Sequence, residues 1–298
     1  MSITVLCGGL GGSRCVDSFA RAAGPEAVTA IANVGDDLEI LGLHVSPDLD
    51  TVLYTLAGLL DEERGWGVRE ETYNALGLAG RLGGETWFTL GDRDIGLHLV
   101  RTALLRAGLP LSAVTARLAE ALEVGVRILP ATDDRLRTKI GTAAGELDFQ
   151  EWFVARRHED AVTAVRFEGA GSARPAPGVL EAIAAADLVV IAPSNPFVSV
   201  RPILAVPGIR AVLETKRVAA ISPIVGGRAF RGPLARMLTT LGHEPSAAGV
   251  AALYGDLVDV FVVAPGDEGP PGSVACDIDM VDPQRRAEVG GRLLEALL

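Results

Sequence analysis

Four aspartates fall within fifteen residues of the segment NVGDDLEILGLHVSPDLDTVLY (33–54): Asp36, Asp37, Asp48 and Asp50. Carboxylates this close repel one another unless a cation or a hydroxyl donor compensates them. Hard divalent cations take oxygen ligands, and magnesium is commonly held by one or two carboxylates together with substrate phosphates. All four are therefore candidate magnesium ligands; the alternative is that they cap turns and helix starts. Gly35 gives the first pair a tight turn because glycine accepts backbone angles other residues avoid. Pro47 fixes the backbone before the second pair. Leu49, Val52, Leu53, Leu56 and Leu60 recur at helical spacing, which predicts a helix from near Asp48 through Leu60. Both pairs then lie on turns beside element ends, where side chains converge on ligands.

The second chemical segment is CGGLGGSR, residues 7–14. It follows a short apolar strand over 3–6 and precedes a helix expected over about 14–23. Strand, glycine turn and helix together set backbone amides and a helix N-terminus against a phosphate. Gly9, Gly11 and Gly12 are the candidate contacts, because a Cβ there would intrude on a bound diphosphate. The segment lacks the Gly-Lys-Ser/Thr ending of a Walker loop. Arg14 stands where a dinucleotide fingerprint needs glycine or alanine, and Asn33 ends the second strand where a ribose-binding acid is expected. Those two residues argue against an NAD-dependent dehydrogenase, which an alternating fold alone would permit. The segment reads as a phosphate turn of its own kind.

Other candidates follow in chain order. GDRDIGLHLVRTALLRAG places Asp94, His98 and Arg101 at i, i+4 and i+7 on one helical face. Spacing alone makes that face a solvated, salt-bridged one. Arg93, just before the helix, is the more pointed residue. A helix capped by Ser112 is expected over 112–124. LPATDD then puts Asp133 and Asp134 at a strand's carboxyl end, the edge where open α/β sheets bind ligands. DLVVIAPSNP is nearly all apolar, as a central parallel strand should be, and ends in Ser194-Asn195-Pro196. KRVAAISPIVGG repeats that pattern with Ser222-Pro223, so the two turns suggest a matched pair of ligand loops. Residues 137–169 interrupt the strand–helix alternation and read as an insertion or subdomain within one domain. The element order implies a doubly wound, mostly parallel Rossmann-like α/β sheet with helices on both faces.

Bulk properties narrow the function classes. The chain has 298 residues, 49% of them hydrophobic, and a net charge of −11. No Lys/Arg run occurs, so no nucleic-acid surface is expected. Three cysteines without CxxC spacing indicate neither a disulfide framework nor a zinc site. No apolar run reaches about 18 residues, so no membrane span is expected. No signal peptide is read at the N-terminus, and the location expected is cytoplasmic.

CGGLGG, NVGDD, SPDLDTVLY, LGDRDIGLH, LPATDD, APSNP and ISPIVGG occur in this order along the chain, which thereby resembles the 2-phospho-L-lactate transferases (CofD/FbiA) of coenzyme F420 biosynthesis. The resemblance runs essentially end to end. SPDLDT with LGDRD is its specific part; the glycine turn and the SNP turn are shared more widely. GGLGG stands where the family often has GGTGG or GGVGG, and PATDD where it often has a PMSDD-like turn. The resemblance implies transfer of a phospho-lactyl or phospho-enolpyruvyl group from a guanosine-diphosphate-linked donor to the ribityl hydroxyl of the deazaflavin Fo, with GMP leaving. It implies a magnesium requirement and a homodimer. It places Asp48 and Asp50 at the Fo hydroxyl and the metal, with Asp36 and Asp37 as further metal candidates, and Arg93 near Fo. Ser194, Asn195, Ser222 and Pro223 would line the guanosine-diphosphate side. Thr51, Asp94, His98 and Asp133 complete the substrate-side candidates with Asn33 and the glycines. Asp50, in the first turn of its helix, is expected to orient the attacking hydroxyl. A related branch of non-catalytic regulators binds uridine-diphosphosugars but carries a DDGGSSG-like turn where this chain has GDDLEILGLH, which favours the transferase.

Overall fold

The computed structural model describes residues 1–226, 228–229 and 232–298. In chain order, β1 (Ile3–Cys7) leads into α1 (Gly9–Ala23), followed by β2 (Val28–Ala32). A hairpin of β3 (Leu38–Ile40) and β4 (Leu43–Val45) precedes α2 (Pro47–Leu56). Helices α3 (Asn74–Arg81), α4 (Asp92–Arg106) and α5 (Leu111–Ala121) lead to β5 (Arg127–Pro130). Then β6 (Arg137–Thr142), β7 (Gly145–Asp148) and β8 (Ala164–Glu168) form a separate antiparallel sheet of three strands, in the order β7-β6-β8. After α6 (Val179–Ala185) come β9 (Leu188–Ile191), α7 (Arg201–Leu204), α8 (Ile209–Leu213) and β10 (Val218–Ile221). A small hairpin, β11 (Ile224–Val225) and β12 (Arg228–Ala229), precedes α9 (Leu234–Thr240) and α10 (Ala247–Tyr254). The chain closes with β13 (Val260–Val263), β14 (Val274–Ala275) and α11 (Arg286–Leu297).

Seven of these strands make one sheet in the order β14-β13-β10-β9-β1-β2-β5, with every neighbouring pair parallel. Such a sheet must be covered on both faces, and its central strands read as continuous apolar runs. The central strands meet that demand: ITVLC, LVVI and VAAI are buried at every residue. From β1 the chain winds outward through β2 to β5. It then returns to the other side of β1 at β9 and winds outward through β10 to β13 and β14. The winding reverses between β1 and β9, and the crevice beyond their carboxyl ends is where open α/β sheets bind ligands.

Several elements depart from the sequence-based expectation, each for a local reason. α1 begins at Gly9 rather than near Arg14, so the glycines occupy its first turn. Gly9 has φ +64°, a left-handed angle that glycine adopts without a Cβ penalty. α2 ends at Leu56, and Leu60 reaches the interior through a bridge to Val68 instead. Arg93 lies inside α4, not before it. Ser112 does not cap α5; Pro110 occupies that position. The β3–β4 hairpin carries no sequence signal: its turn is Leu41-Gly42, at φ +52° and +73°, without the Asn-Gly or Asp-Gly pair of such turns. Gly227 of ISPIVGG and Arg231 at the start of RGPLARMLTTLG lie outside the described residues.

Candidate active site

The carboxyl ends of β1, β2 and β9 meet at Asn33. Its backbone amide donates to Cys7 O at 2.9 Å, and its side-chain oxygen accepts from Gly35 N at 2.8 Å. Its side-chain amide donates to Asp48 Oδ2 (2.9 Å), Asp36 Oδ1 (3.2 Å) and Val198 O (3.2 Å). One asparagine, fully buried, thus draws two carboxylates toward a common point. Gly9 N donates to the other oxygen of Asp48 at 2.5 Å, and Gln150 Nε2 donates to Asp36 Oδ2 at 3.1 Å. Burial removes both carboxylates from water, and their mutual repulsion adds to that cost. Asp36 is pushed well above the usual carboxylate range by burial and then by the charges of Asp48 and Asp37. Burial pushes Asp48 up to about 7, against the opposing hydrogen bonds from Asn33 and Gly9.

The four aspartates do not gather around one cation. Pro47 starts α2, so Asp48 and Asp50 are two residues apart in a helix and project about 200° apart around its axis. Asp48 faces α1, and Asp50 faces α4. Both oxygens of Asp50 are taken by the Arg101 guanidinium, through Nη1 at 3.1 Å and through Nη2, and Ser46 N also donates to it at 3.2 Å. Asp50 is therefore a paired carboxylate in this structure, turned toward α4 and away from Asp48. Burial works against the charge on Arg101, but the charge and hydrogen bonds of Asp50, together with Asp37 and Tyr54, raise the guanidinium above its usual value. Asp37 Oδ2 accepts from Ser46 Oγ at 3.0 Å and lies 3.1 Å from His44 Nε2, both brought back by the β3–β4 hairpin. Its Oδ1 is buried and has no hydrogen-bond partner.

Among the described residues, no group of three or more His, Cys, Asp or Glu is arranged to hold a metal ion. A magnesium ion does not need three, since phosphate oxygens and water complete its shell. Asp36 and Asp37 fit that smaller role: both line a cleft of about 620 Å3 with Trp87, Arg137, Phe149 and Gln150, and Asp37 Oδ1 has a lone pair to give.

The glycines serve the protein's own packing. A Cβ on Gly11 would stand 2.5 Å from Pro193 O, and one on Gly12 would stand 2.7 Å from Ser194 Oγ and 2.9 Å from Cys7 Cβ. Those contacts hold α1 against the ends of β1 and β9, a reason for glycine that the expected diphosphate approach did not supply. Gly35 has the same kind of role: its added Cβ would meet Thr138 Oγ1 at 2.6 Å. Ser194 clasps the switch point, accepting from Gly8 N at 3.1 Å and donating to Gly8 O at 2.8 Å.

The remaining candidates separate. Asn195 accepts from Phe197 N at 2.9 Å and starts the π-helical turn Pro196–Val200, whose Val198 carbonyl reaches Asn33. Ser222 is spent on its own turn, bonding Ile224 N and O, with Pro223 buried beside it. Thr51 bonds back to Pro47 O at 2.7 Å. Asp133 sits at the start of α5, where it accepts from Ser112 N at 2.6 Å and Ser112 Oγ at 2.8 Å. Arg93 is exposed and its guanidinium donates to Arg69 O at 3.0 Å. Asp94, His98 and Arg101 do share a face, but that face is buried rather than solvated. Asp94 accepts from Tyr54 Oη at 2.5 Å and lies 3.2 Å from His98 Nε2. Sequence reasoning missed the partners Gln150, His44 and Ser46. Of these only Ser46 carried a signal, as the serine of SPDLDT.

An all-parallel sheet whose switch point holds a glycine turn, a buried carboxylate pair and an acid-lined cleft defines a Rossmann-like α/β protein with an acidic ligand crevice. The family model of 2-phospho-L-lactate transferase CofD matches residues 3–280. A phosphoenolpyruvate transferase of Thermobifida fusca is 42% identical over 100% of this chain and 98% of its own. The phosphoenolpyruvate transferase of Streptomyces avermitilis is 48% identical over 88% of this chain and 85% of its own. The chain belongs to the CofD family of 2-phospho-L-lactate transferases and is an enzyme that transfers phosphate-containing groups. A crystal structure of a UPF0052-family protein from Bacillus halodurans has the same fold, with a TM-score of 0.59 at 20% identity over 90% of this chain and 81% of that one. No helix among the described residues is long and apolar enough to cross a membrane.

Proposed function

We propose that the enzyme transfers a phospho-enolpyruvyl or phospho-lactyl group from a guanosine-diphosphate-linked donor to the ribityl hydroxyl of Fo, within coenzyme F420 biosynthesis. The single observation that carries the site reading is Asp48: a buried carboxylate beside the glycine turn, held near neutrality at about 7. A general base works best with its pKa near the operating pH. The hydroxyl oxygen attacks the phosphorus bearing the enolpyruvyl or lactyl group, and the bridging P–O bond to GMP breaks. The hydroxyl proton passes to Asp48. Asp36 and Asp37 would hold magnesium, which when bound neutralises charge on the donor diphosphate. Asn33 keeps Asp48 and Asp36 in register, and positioning of this kind supplies most of the catalysis in phosphoryl transfer. The curated relatives named phosphoenolpyruvate transferase favour the enolpyruvyl donor. The family resemblance also makes a homodimer part of this reading.

Mass spectrometry of the product formed from Fo with each donor tests the reaction. The expected result is the enolpyruvyl adduct of Fo with one GMP released per turnover. Tight binding of a uridine-diphosphosugar with no product from either donor would replace the transferase by a nucleotide-sugar-binding regulator.

A further inference from the structure

The polar seam between α2 and α4 has no place in the reaction just described. Asp50 and Tyr54 lie at i and i+4 on α2, facing Asp94, His98 and Arg101 on α4. Arg101 is 1% exposed and His98 1%. Arg101 grips both oxygens of Asp50, and its Nη1 lies 3.2 Å from His98 Nδ1. Tyr54 closes the other end of the seam on Asp94. A buried ion pair contributes little net stability, because desolvation offsets the attraction; apolar residues of similar volume are often as stable or more so. What an apolar pair cannot supply is direction. A planar guanidinium meeting a carboxylate at two points fixes the rotation of the side chain it holds. Asp50 sits in the first turn of α2, and Asp48 projects from the opposite side of that turn. Rotation of α2 about its axis would swing Asp48 away from Gly9 N and Asn33.

We propose that Arg101 is a positioning residue for group transfer: its fork on Asp50 locks the first turn of α2 so that Asp48 stays against Gly9 N and Asn33 at the switch point. This rests on the reading of Asp48 as proton acceptor. It assigns Arg101 a role in turnover without contact with either substrate.

The test is steady-state kinetics with Fo and the guanosine-diphosphate-linked donor, alongside melting curves. Three proteins are compared: Arg101→Lys, the double variant Asp50→Leu/Arg101→Met, and Asp48→Asn. The double variant removes both charges and leaves neither ion of the pair alone, though Ser46 N loses its acceptor, and it is expected to stay folded in the melting curve. Its kcat should fall about 100-fold, the scale for a misplacement of roughly 1 Å, with donor KM unchanged. Arg101→Lys keeps the charge but loses the fork, and should lose kcat in the same way. A folded double variant with wild-type kcat overturns the proposal, as does a change confined to KM. Full turnover in Arg101→Lys shows that charge alone suffices and overturns the fork. Wild-type turnover in Asp48→Asn overturns the site reading and this inference with it. Loss of turnover in Asp48→Asn with full turnover in the double variant overturns the inference alone.

Discussion

Replacing Asp48 by asparagine should change the pH dependence of stability in a way that no capping residue would. Asp48 has its pKa raised from 3.8 to about 7 by burial. A folded-state pKa above the unfolded value gives stability that is fully present below about pH 4 and lost as the pH rises through about 7. At about 1.4 kcal/mol per unit, the shift from 3.8 to about 7 corresponds to about 4 kcal/mol in all. Between pH 5 and pH 8 the loss comes to about 3 kcal/mol, because part of it has already occurred below pH 5. Asparagine does not ionise, so the variant lacks this loss. Its new amide nitrogen must face either Gly9 N or Asn33 Nδ2, both donors, and so leaves a bond unmade at a pH-independent cost of about 1–3 kcal/mol. Asp36 loses a repelling neighbour in the variant, which acts in the same direction as the ionisation effect. Urea unfolding at pH 5 and pH 8, without magnesium, should therefore show the stability of the wild type relative to the variant falling by about 3 kcal/mol between the two. The same difference at both pH values would show that Asp48 ionises as freely folded as unfolded, and would refute the burial argument and the case for a base poised near neutrality.

Three further outcomes are expected. Gly11→Val drives a side chain into Pro193 O, 2.5 Å from the Cβ position; its melting temperature should fall even without donor, and an unchanged melt with weakened donor binding would restore the diphosphate-contact reading. Magnesium should raise the wild-type melting temperature and restore turnover lost to EDTA, while Asp37→Asn loses the thermal shift; full turnover in metal-free buffer refutes the ion's role. Asp133→Ala removes the carboxylate at the start of α5 and should cost about 1 kcal/mol in denaturant unfolding with kcat intact; a 100-fold kcat loss would return Asp133 to the substrate side.

The sequence by itself determined the class of fold and the family. Short, nearly all-apolar segments such as ITVLC and LVVI are legible because a central parallel strand needs apolar side chains on both faces. The spaced motifs carried the family because they are local strings. The helix phase is legible too: once Pro47 starts α2, Asp48 and Asp50 are two apart and do not face the same way. Tertiary structure alone decided which carboxylate is ion-paired. Arg101 lies 51 residues from Asp50, and Gln150 lies 114 residues from Asp36. Nothing in local spacing says that the helical turn after β7 will lend a glutamine to the first acid pair, or that a helix face of Asp, His and Arg will be buried rather than solvated. Those outcomes follow from where the parallel sheet places its crossovers, and the charge on each aspartate depends on the neighbours that placement supplies.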